Sequence, residues 1–354
     1  MSLLFSPLTL RSVTLPNRVA VSPMCQYSAT DGLPDHWHLV HLGSRAAGGA
    51  GLVIAEASAV EPIGRISPDD TGIWSPAHVD AWRPVTAFIK AQGAVPGVQL
   101  AHAGRKASTY SPFAAGKHGV PDEDGGWTPV GPTSEPFIPE YRTPKALAPT
   151  EIEALVETWA QAARHAVEAG FEVVEVHAAH GYLLHEFLSP LTNTRTDSYG
   201  GDFAGRTRFP VAVVRAVRAA VGEDVPVLVR ISATDWTEGG LTVDDSVEIA
   251  RAFAEAGADL VDVSSGGNVA HATIVTGPGY QVPFADAIRR KAEVATGAVG
   301  EIADAHQAER ILSEGSADLV LVGRELLRDP YWPLRAAATL GAEAAPPVQY
   351  ARAF

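Results

Sequence analysis

The segment Phe171-Glu-Val-Val-Glu-Val-His-Ala-Ala-His-Gly-Tyr182 joins an apolar, β-branched run to two histidines and a tyrosine. The run predicts a buried strand, whose carboxyl end then carries His177, His180 and Tyr182. Barrels and open α/β folds place their chemistry at that end of a strand. Neutral imidazoles donate hydrogen bonds and a phenol can deliver a proton. Together the three side chains could polarise a carbonyl oxygen and protonate a neighbouring carbon.

Similar runs recur along almost the whole chain and alternate with helical patterns, as expected of repeated βα units. The predicted strands are residues 19–22, 52–55, 95–100, 173–177, 227–231, 260–264, 295–299 and 319–322. The predicted helices are residues 38–47, 78–92, 150–169, 206–221, 243–256, 284–291, 304–314 and 331–340. These elements predict a closed (β/α)8 TIM barrel that forms one domain over residues 1–354. A doubly wound sheet is less favoured, because no Gly-x-Gly-x-x-Gly follows the first strand.

One connection is much longer than the others. Between the third predicted strand and its helix, residues 105–149 are rich in proline, glycine and acidic residues and contain Trp127. A loop of this length in a compact domain usually carries function. We therefore expect a lid-like excursion over the barrel mouth, with a disordered surface insert as the alternative.

Composition restricts the classes of function. The chain has 27 Lys+Arg against 41 Asp+Glu, a net charge of −14, which argues against a surface for nucleic acid or an anionic membrane. No run approaches the roughly 20 apolar residues of a membrane span, and the amino terminus does not resemble a signal peptide. The single cysteine, Cys25, excludes an internal disulfide and a multi-cysteine metal site. A cytoplasmic protein is expected.

The histidines leave alternatives open. His177 and His180 could be ordinary packing residues, or metal ligands together with His185 and Glu186. No standard metal-binding spacing is present, so no metal is expected.

Two turns predict an anion site at the barrel mouth. Gly300 follows the seventh predicted strand, and Gly323 and Arg324 follow the eighth. Barrels often bind a phosphate with these two loops. The alternative is that Arg324 forms an ordinary surface ion pair.

Arg230 and Gln99 end predicted strands five and three. An arginine in an apolar strand is costly unless it meets an anion. That anion could be a ligand, or an internal carboxylate such as Glu56 or Asp262.

Motifs along the whole chain resemble those of the Old Yellow Enzyme family of FMN-dependent ene-reductases, and more narrowly its thermophilic-like, xenobiotic-reductase branch. The matching segments are residues 15–18, 23–27, 99–106, 177–190, 193–201 and 322–324. The resemblance implies FMN bound in the barrel mouth and NADPH or NADH as the reductant. The implied FMN-binding residues are Ser22, Pro23, Met24, Cys25 and Ala57 along the ring, Gln99 and Arg230 at its pyrimidine edge, and Gly300, Gly323 and Arg324 at the phosphate.

The resemblance also implies roles in catalysis. His177 and His180 would bind the substrate's carbonyl or nitro oxygen, and Tyr182 would protonate the substrate. Cys25 would lie near the reactive N5 edge of the flavin, and Tyr27 would line the substrate pocket. Many family members outside this branch have Asn where this chain has His180.

Residues 341–354 resemble the branch's carboxyl-terminal tail, whose arginine enters a neighbouring subunit's active site. Arg352 would then act in trans, within a homodimer or a homotetramer built from dimers. The alternative is a frayed chain end. The tail ends in Phe354, where relatives often have another aromatic residue.

The implied function is NAD(P)H-dependent reduction of the carbon–carbon double bond of α,β-unsaturated carbonyl and nitro compounds. Hydride would pass from FMN N5 to the β-carbon, and Tyr182 would protonate the α-carbon. A different possibility is a flavin barrel with a dedicated substrate such as a dienoyl-CoA, although the large relatives of that kind carry iron–sulfur cysteines and a further domain. A non-catalytic flavin-binding module, or a flavin-free, phosphate-binding isomerase or lyase, would also suit parts of the sequence.

Overall fold

A computed structural model describes residues 2–114 and 118–353. Eight parallel strands close into a barrel in the order of the chain, which confirms the predicted fold. The barrel strands are β1 (Val19–Val21), β2 (Leu52–Ala59), β3 (Val95–Ala101), β4 (Val173–Ala178), β5 (Val227–Ser232), β6 (Leu260–Ser264), β7 (Ala295–Ala298) and β8 (Leu319–Val322). All eight predicted strands are present, and most of them carry several buried, branched side chains that can be recognised without their neighbours.

Eight helices surround the barrel at the predicted places, with ends that differ from the predictions by at most three residues. They are α1 (His36–Ala47), α2 (Pro76–Ala91), α3 (Pro149–Glu168), α4 (Phe203–Val221), α5 (Val243–Glu255), α6 (Val282–Ala292), α7 (Ala305–Ser313) and α8 (Trp332–Leu340). Two short helices, Leu183–Leu188 and Arg324–Arg328, were not predicted. In the described part of the chain, no helix is both long and apolar enough to cross a membrane.

The barrel interior is apolar at one end and polar at the other. Leucines, isoleucine and valines near the amino ends of the strands pack together inside, with Leu10 and Leu15 among them. These two residues belong to an antiparallel hairpin of Leu8–Leu10 and Val13–Leu15, so the hairpin covers the amino end of the barrel. Polar and charged side chains lie further along the strands, toward the carboxyl ends.

Strand β2 is longer than predicted and contains a bulge between Ala55 and Ala57. The bulge holds the buried Glu56, which accepts a hydrogen bond from the Gln26 backbone N–H at 2.8 Å and lies 3.3 Å from His38 Nε2. Bulges commonly redirect a side chain near a functional site. Here the bulge fixes the loop that follows β1.

The excursion at residues 105–149 makes specific contacts where the structure describes it. Two short parallel strands, Val130–Gly131 and Lys145–Ala146, pair within it. Trp127 Nε1 donates to the Ile63 carbonyl at 2.8 Å, which ties the excursion to the loop after β2. Its action as a lid stays a prediction, and residues 115–117 lie outside the described residues.

Candidate active site

A cavity of about 620 Å³ opens at the carboxyl ends of the strands. It gathers residues that the sequence predicted separately, from strand β5 and from the loops after β1, β4, β7 and β8. The predicted residues on its wall are Ser22, Pro23, Met24, His180, Arg230, Gly300, Gly323 and Arg324. The structure therefore brings these distant segments of the chain to one site.

Arg230 forms an internal ion pair with Asp262, one of the two carboxylates that the sequence left open as its partner. Its Nε lies 3.2 Å from Asp262 Oδ2, and its Nη1 donates to Ser22 Oγ at 3.1 Å. Because Arg230 also lines the cavity, it is held by an internal carboxylate and is available to a ligand. The other carboxylate considered, Glu56, contacts Gln26 and His38 instead.

His177 and His180 lie almost perpendicular to each other, with ring centroids 5.1 Å apart. Burial, and then the charge of Arg230, lower the pKa of both imidazoles well below the usual value. Both are therefore neutral at pH 7, and each has one N–H to donate. His177 Nδ1 is buried without a hydrogen-bond partner, whereas His180 Nε2 lies 2.7 Å from Ser264 Oγ.

A left-handed turn sets the direction of this cluster. His180 has φ +59° and Gly181 has φ +72°. A Cβ on Gly181 would lie 2.3 Å from the Gly267 carbonyl oxygen. Only glycine fits there, and it lets the turn pack against residue 267 while Tyr182 starts the short helix Leu183–Leu188.

Tyr182 lines a second cavity of about 350 Å³ together with Tyr27 and excursion residues such as Tyr110 and His118. Burial raises the pKa of Tyr182 well above its usual value. The phenol therefore keeps its proton across the neutral range and has that proton available to donate.

Lys106 was not predicted as a site residue, although the sequence places it in a matching motif. Its Nζ donates to the carbonyls of His180 and Gly267, both at 2.8 Å, and lies 5.3 Å from the centroid of the Tyr182 ring. Burial, and then the charge of Arg105, lower the pKa of Lys106 to about 8. A lysine after a strand is usually solvated, so no sequence signal marked it.

Cys25 and Ala57 lie near the site but are not on the wall of the larger cavity. Cys25 is partly exposed. Burial of its thiol, followed by the carboxyl groups of Asp70 and Glu56, raises its pKa well above the usual value. Cys25 is therefore a neutral thiol and not a thiolate nucleophile.

One end of the larger cavity is lined by Gly323 with two arginines and two glutamates. Gly323 has room beside it, since a Cβ there would meet nothing closer than 3.8 Å. Arg324 lines this end and lies 3.4 Å from Glu301, so the predicted surface ion pair also exists. Arg328, which the sequence did not single out, lines the same end and pairs with Glu325.

The predicted tail residue Arg352 is exposed and lies just after a short turn at Val348–Tyr350. Tyr350 packs against Tyr331 with ring centroids 6.0 Å apart. The tail is therefore in contact with the start of α8, while Phe354 lies outside the described residues.

The chain is similar to known proteins in family, in sequence and in structure. The model of the NADH:flavin oxidoreductase / NADH oxidase family matches residues 3–343. An NADPH dehydrogenase of Geobacillus sp. (strain WCH70) is 48% identical over 355 residues, covering 100% of this chain and 99% of the relative. Morphinone reductase in complex with tetrahydroNAD superposes with a TM-score of 0.79 at 31% identity, over 97% of this chain and 92% of that one. A 2-naphthoyl-CoA reductase complex superposes with a TM-score of 0.86 at 28% identity, over 96% of this chain but 52% of that one. The family match spans every predicted site residue except Arg352.

Proposed function

The chain belongs to the NADH:flavin oxidoreductase / NADH oxidase family and is an FMN-dependent, NADPH-oxidising enzyme of the Old Yellow Enzyme type; on that premise we propose that it reduces the carbon–carbon double bond of α,β-unsaturated carbonyl and nitro compounds. The observation that carries this proposal is the cluster of two neutral histidines and a protonated tyrosine at the end of β4. These groups suit an electron-poor olefin that bears an oxygen acceptor.

The two histidines would bind the substrate oxygen. Negative charge develops on that oxygen when hydride adds to the β-carbon. A preorganised donor aimed at such a charge contributes about 3 kcal/mol. His177 Nδ1 is buried and has no partner in the protein, so its N–H can be given to the substrate without breaking an existing bond. His180 already contacts Ser264 through Nε2, which leaves Nδ1 as its free nitrogen.

Tyr182 would protonate the α-carbon. Its ring centroid lies 5.1 Å from that of His177, so one small substrate can reach both side chains. The ammonium of Lys106 beside the Tyr182 ring would stabilise the phenolate left after proton transfer. Tyr27, on the wall of the same cavity, would also contact the substrate.

The larger cavity fits FMN. At one end its wall carries Arg230, which contacts Ser22. At the other end it carries Arg324 and Arg328 beside Gly323, where there is room next to the backbone. We assign the ring to Ser22, Pro23, Met24, Ala57, Gln99 and Arg230, and the phosphate to Gly300, Gly323 and Arg324. Bound FMN supplies the hydride chemistry, and the protein supplies position and electrostatics. Cys25 would adjoin the ring as a neutral, polarisable thiol.

We further propose that Arg352 enters the site of a second subunit in a dimer. Its exposure and its position beyond the contact between Tyr350 and Tyr331 leave it accessible to a neighbouring chain.

The proposal is tested by reduction of the purified holoenzyme with NADPH, followed by reoxidation with cyclohexenone or a nitroalkene. We expect the flavin absorbance to bleach with NADPH and to return with the olefin, together with the saturated product. A flavin that NADPH reduces but that no activated olefin reoxidises would overturn the proposal.

A dedicated CoA thioester is the second candidate, because a 2-naphthoyl-CoA reductase superposes on almost the whole chain. This chain spans about half the length of that protein. Reoxidation by an enoyl-CoA at least tenfold faster than by the free enone would favour this candidate.

A further inference from the structure

Four polar side chains from consecutive strands form a buried cluster inside the barrel. Gln99 on β3 pairs in register with Glu175 on β4, and Arg230 on β5 pairs with Asp262 on β6. Their exposed fractions are 2%, 0%, 6% and 0% respectively. If both carboxyl groups were ionised, the cluster would carry one uncompensated negative charge in a dry interior, which is costly.

The hydrogen bonds show where that charge can be removed. Gln99 Nε2 donates to Glu175 Oε1 at 2.7 Å. Glu175 Oε2 and both Asp262 carboxyl oxygens are buried without a hydrogen-bond partner among the described residues, each carboxyl group affects the pKa of the other, and Arg230 Nε lies 3.2 Å from Asp262 Oδ2. Two ionised carboxylates would leave these buried oxygens unsatisfied, whereas a proton on one carboxyl group lets it donate to the other.

We propose that Glu175 is a neutral carboxylic acid at neutral pH, that its Oε2–H donates to Asp262, and that its Oε1 holds the Gln99 amide with the carbonyl oxygen left for the cofactor. The proton lies on Glu175 because Asp262 faces the guanidinium of Arg230. Glu175 is then a positioning residue that acts through Gln99. This inference rests on the proposed function, which places Gln99 and Arg230 beside FMN.

The electrostatics agree with this arrangement. Burial, and then the Asp262 carboxyl group, raise the pKa of Glu175 to about 8, against the opposing charge of Arg230. The groups that face Glu175 are Gln99 from β3, Arg230 from β5 and Asp262 from β6. Below about pH 8 the cluster is neutral, with Arg230 balanced by Asp262. Above it, loss of the Glu175 proton to solvent adds one negative charge next to the cofactor.

Infrared spectroscopy tests the proton directly, in apoprotein and holoenzyme. We expect a protonated-carboxyl band at pH 7 that shifts in D2O and is absent from Glu175→Gln. Glu186→Gln is the matched control, because Glu186 is equally buried, has a pKa raised to about 8, and contacts Arg105 instead of this cluster. Its spectrum should keep the Glu175 band. If Glu175→Gln removes no such band, the proposal is wrong.

The midpoint potential of bound FMN gives a second readout. We expect the wild type and Glu186→Gln to show a steeper fall of potential with pH near pH 8, and Glu175→Gln to lack it. Glu175→Gln copies the neutral acid, so its FMN dissociation constant should stay within about threefold of the wild type. Glu175→Leu cannot accept from Gln99 and should weaken FMN binding on the order of tenfold.

The inference would be overturned if Glu175→Gln keeps the steeper fall of midpoint potential near pH 8. It would also be overturned if this variant weakens FMN binding by more than about tenfold. If the wild-type chain takes up no FMN, the proposed function fails instead, and the infrared band of the apoprotein still decides the state of Glu175. The infrared and Glu175→Gln measurements decide the matter even if the leucine variant does not fold.

Discussion

The His177 and Tyr182 rings stand 5.1 Å apart between centroids, at an angle of 77°. The edge-to-face arrangement points each ring in a separate direction, so under the proposed function His177 and Tyr182 would serve different atoms of one substrate. Both side chains are uncharged at pH 7 because burial opposes their charged forms.

His177→Ala removes the imidazole whose Nδ1 has no protein partner. Turnover of cyclohexenone should fall about 10²- to 10³-fold, as for loss of one oxyanion donor. NADPH oxidation with oxygen as acceptor should change little, because oxygen does not need this donor. The exposed His306→Ala serves as the control. Equal losses with both acceptors would contradict the role of His177.

Tyr182→Phe removes the hydroxyl group of the proposed proton donor and keeps the ring. Reoxidation of the NADPH-reduced enzyme by cyclohexenone should slow by about 10²- to 10⁴-fold, measured by stopped flow. The preceding reduction by NADPH should keep its rate, since it needs no proton from Tyr182. Tyr199→Phe is a control at a mostly buried tyrosine outside the cavities. A normal reoxidation rate in Tyr182→Phe would assign the proton to another group.

Arg324→Ala removes one of two arginines at the proposed phosphate end. FMN affinity should fall about tenfold or more, the contribution of a charged hydrogen bond. Affinity for riboflavin should stay the same, because riboflavin has no phosphate. Titration of the apoprotein with both flavins separates the two effects, and a parallel loss would place Arg324 elsewhere in the site.

Glu186 makes stability depend on pH. Burial raises its pKa to about 8 in the folded chain, whereas an unfolded chain has about 4.3. Between these values the folded state binds more protons, so its contribution is present below about pH 4 and is lost as pH rises toward 8. Denaturant unfolding at pH 5.5 and 8.5 measures how much unfolding free energy is lost between these pH values. That loss should be smaller in Glu186→Gln than in the wild type, by up to several kcal/mol. An identical loss in both proteins would show that Glu186 is ionised when folded.

Mixing subunits tests whether Arg352 serves the active site of its own subunit or that of a neighbouring subunit. Arg352→Ala and Tyr182→Phe should each be impaired alone. If Arg352 acts in trans in a dimer, refolding the two variants together should restore about a quarter of wild-type activity, because half the dimers are mixed and each has one intact site. Activity that is only the average of the two variants would contradict a trans role. Sedimentation of the mixture gives the oligomeric state.

The barrel could be predicted from the sequence because most strands are apolar runs that alternate with helical patterns along almost the whole chain. The helix Leu183–Leu188 was missed because its six residues are all buried, so no alternation of polar and apolar faces reveals it. The short helix Arg324–Arg328 was missed because it has only five residues.

The site was predicted in part. Its strand-end residues are visible one by one, but their partners depend on register. The sequence offered both Glu56 and Asp262 to Arg230, and only the pairing of β5 with β6 selects Asp262. Lys106 was missed because its acceptors are backbone carbonyls more than 70 residues away along the chain, which no local pattern records.

The amino-terminal hairpin determines from which end of the barrel small molecules can enter. Leu10 and Leu15 fill the base of the barrel, so in the described part of the chain small molecules approach from the opposite side. Under the proposed function, the reductant and the olefin would share one entrance, and each would have to leave before the other binds. A high concentration of oxidised nicotinamide cofactor would therefore inhibit the enzyme by occupying that entrance.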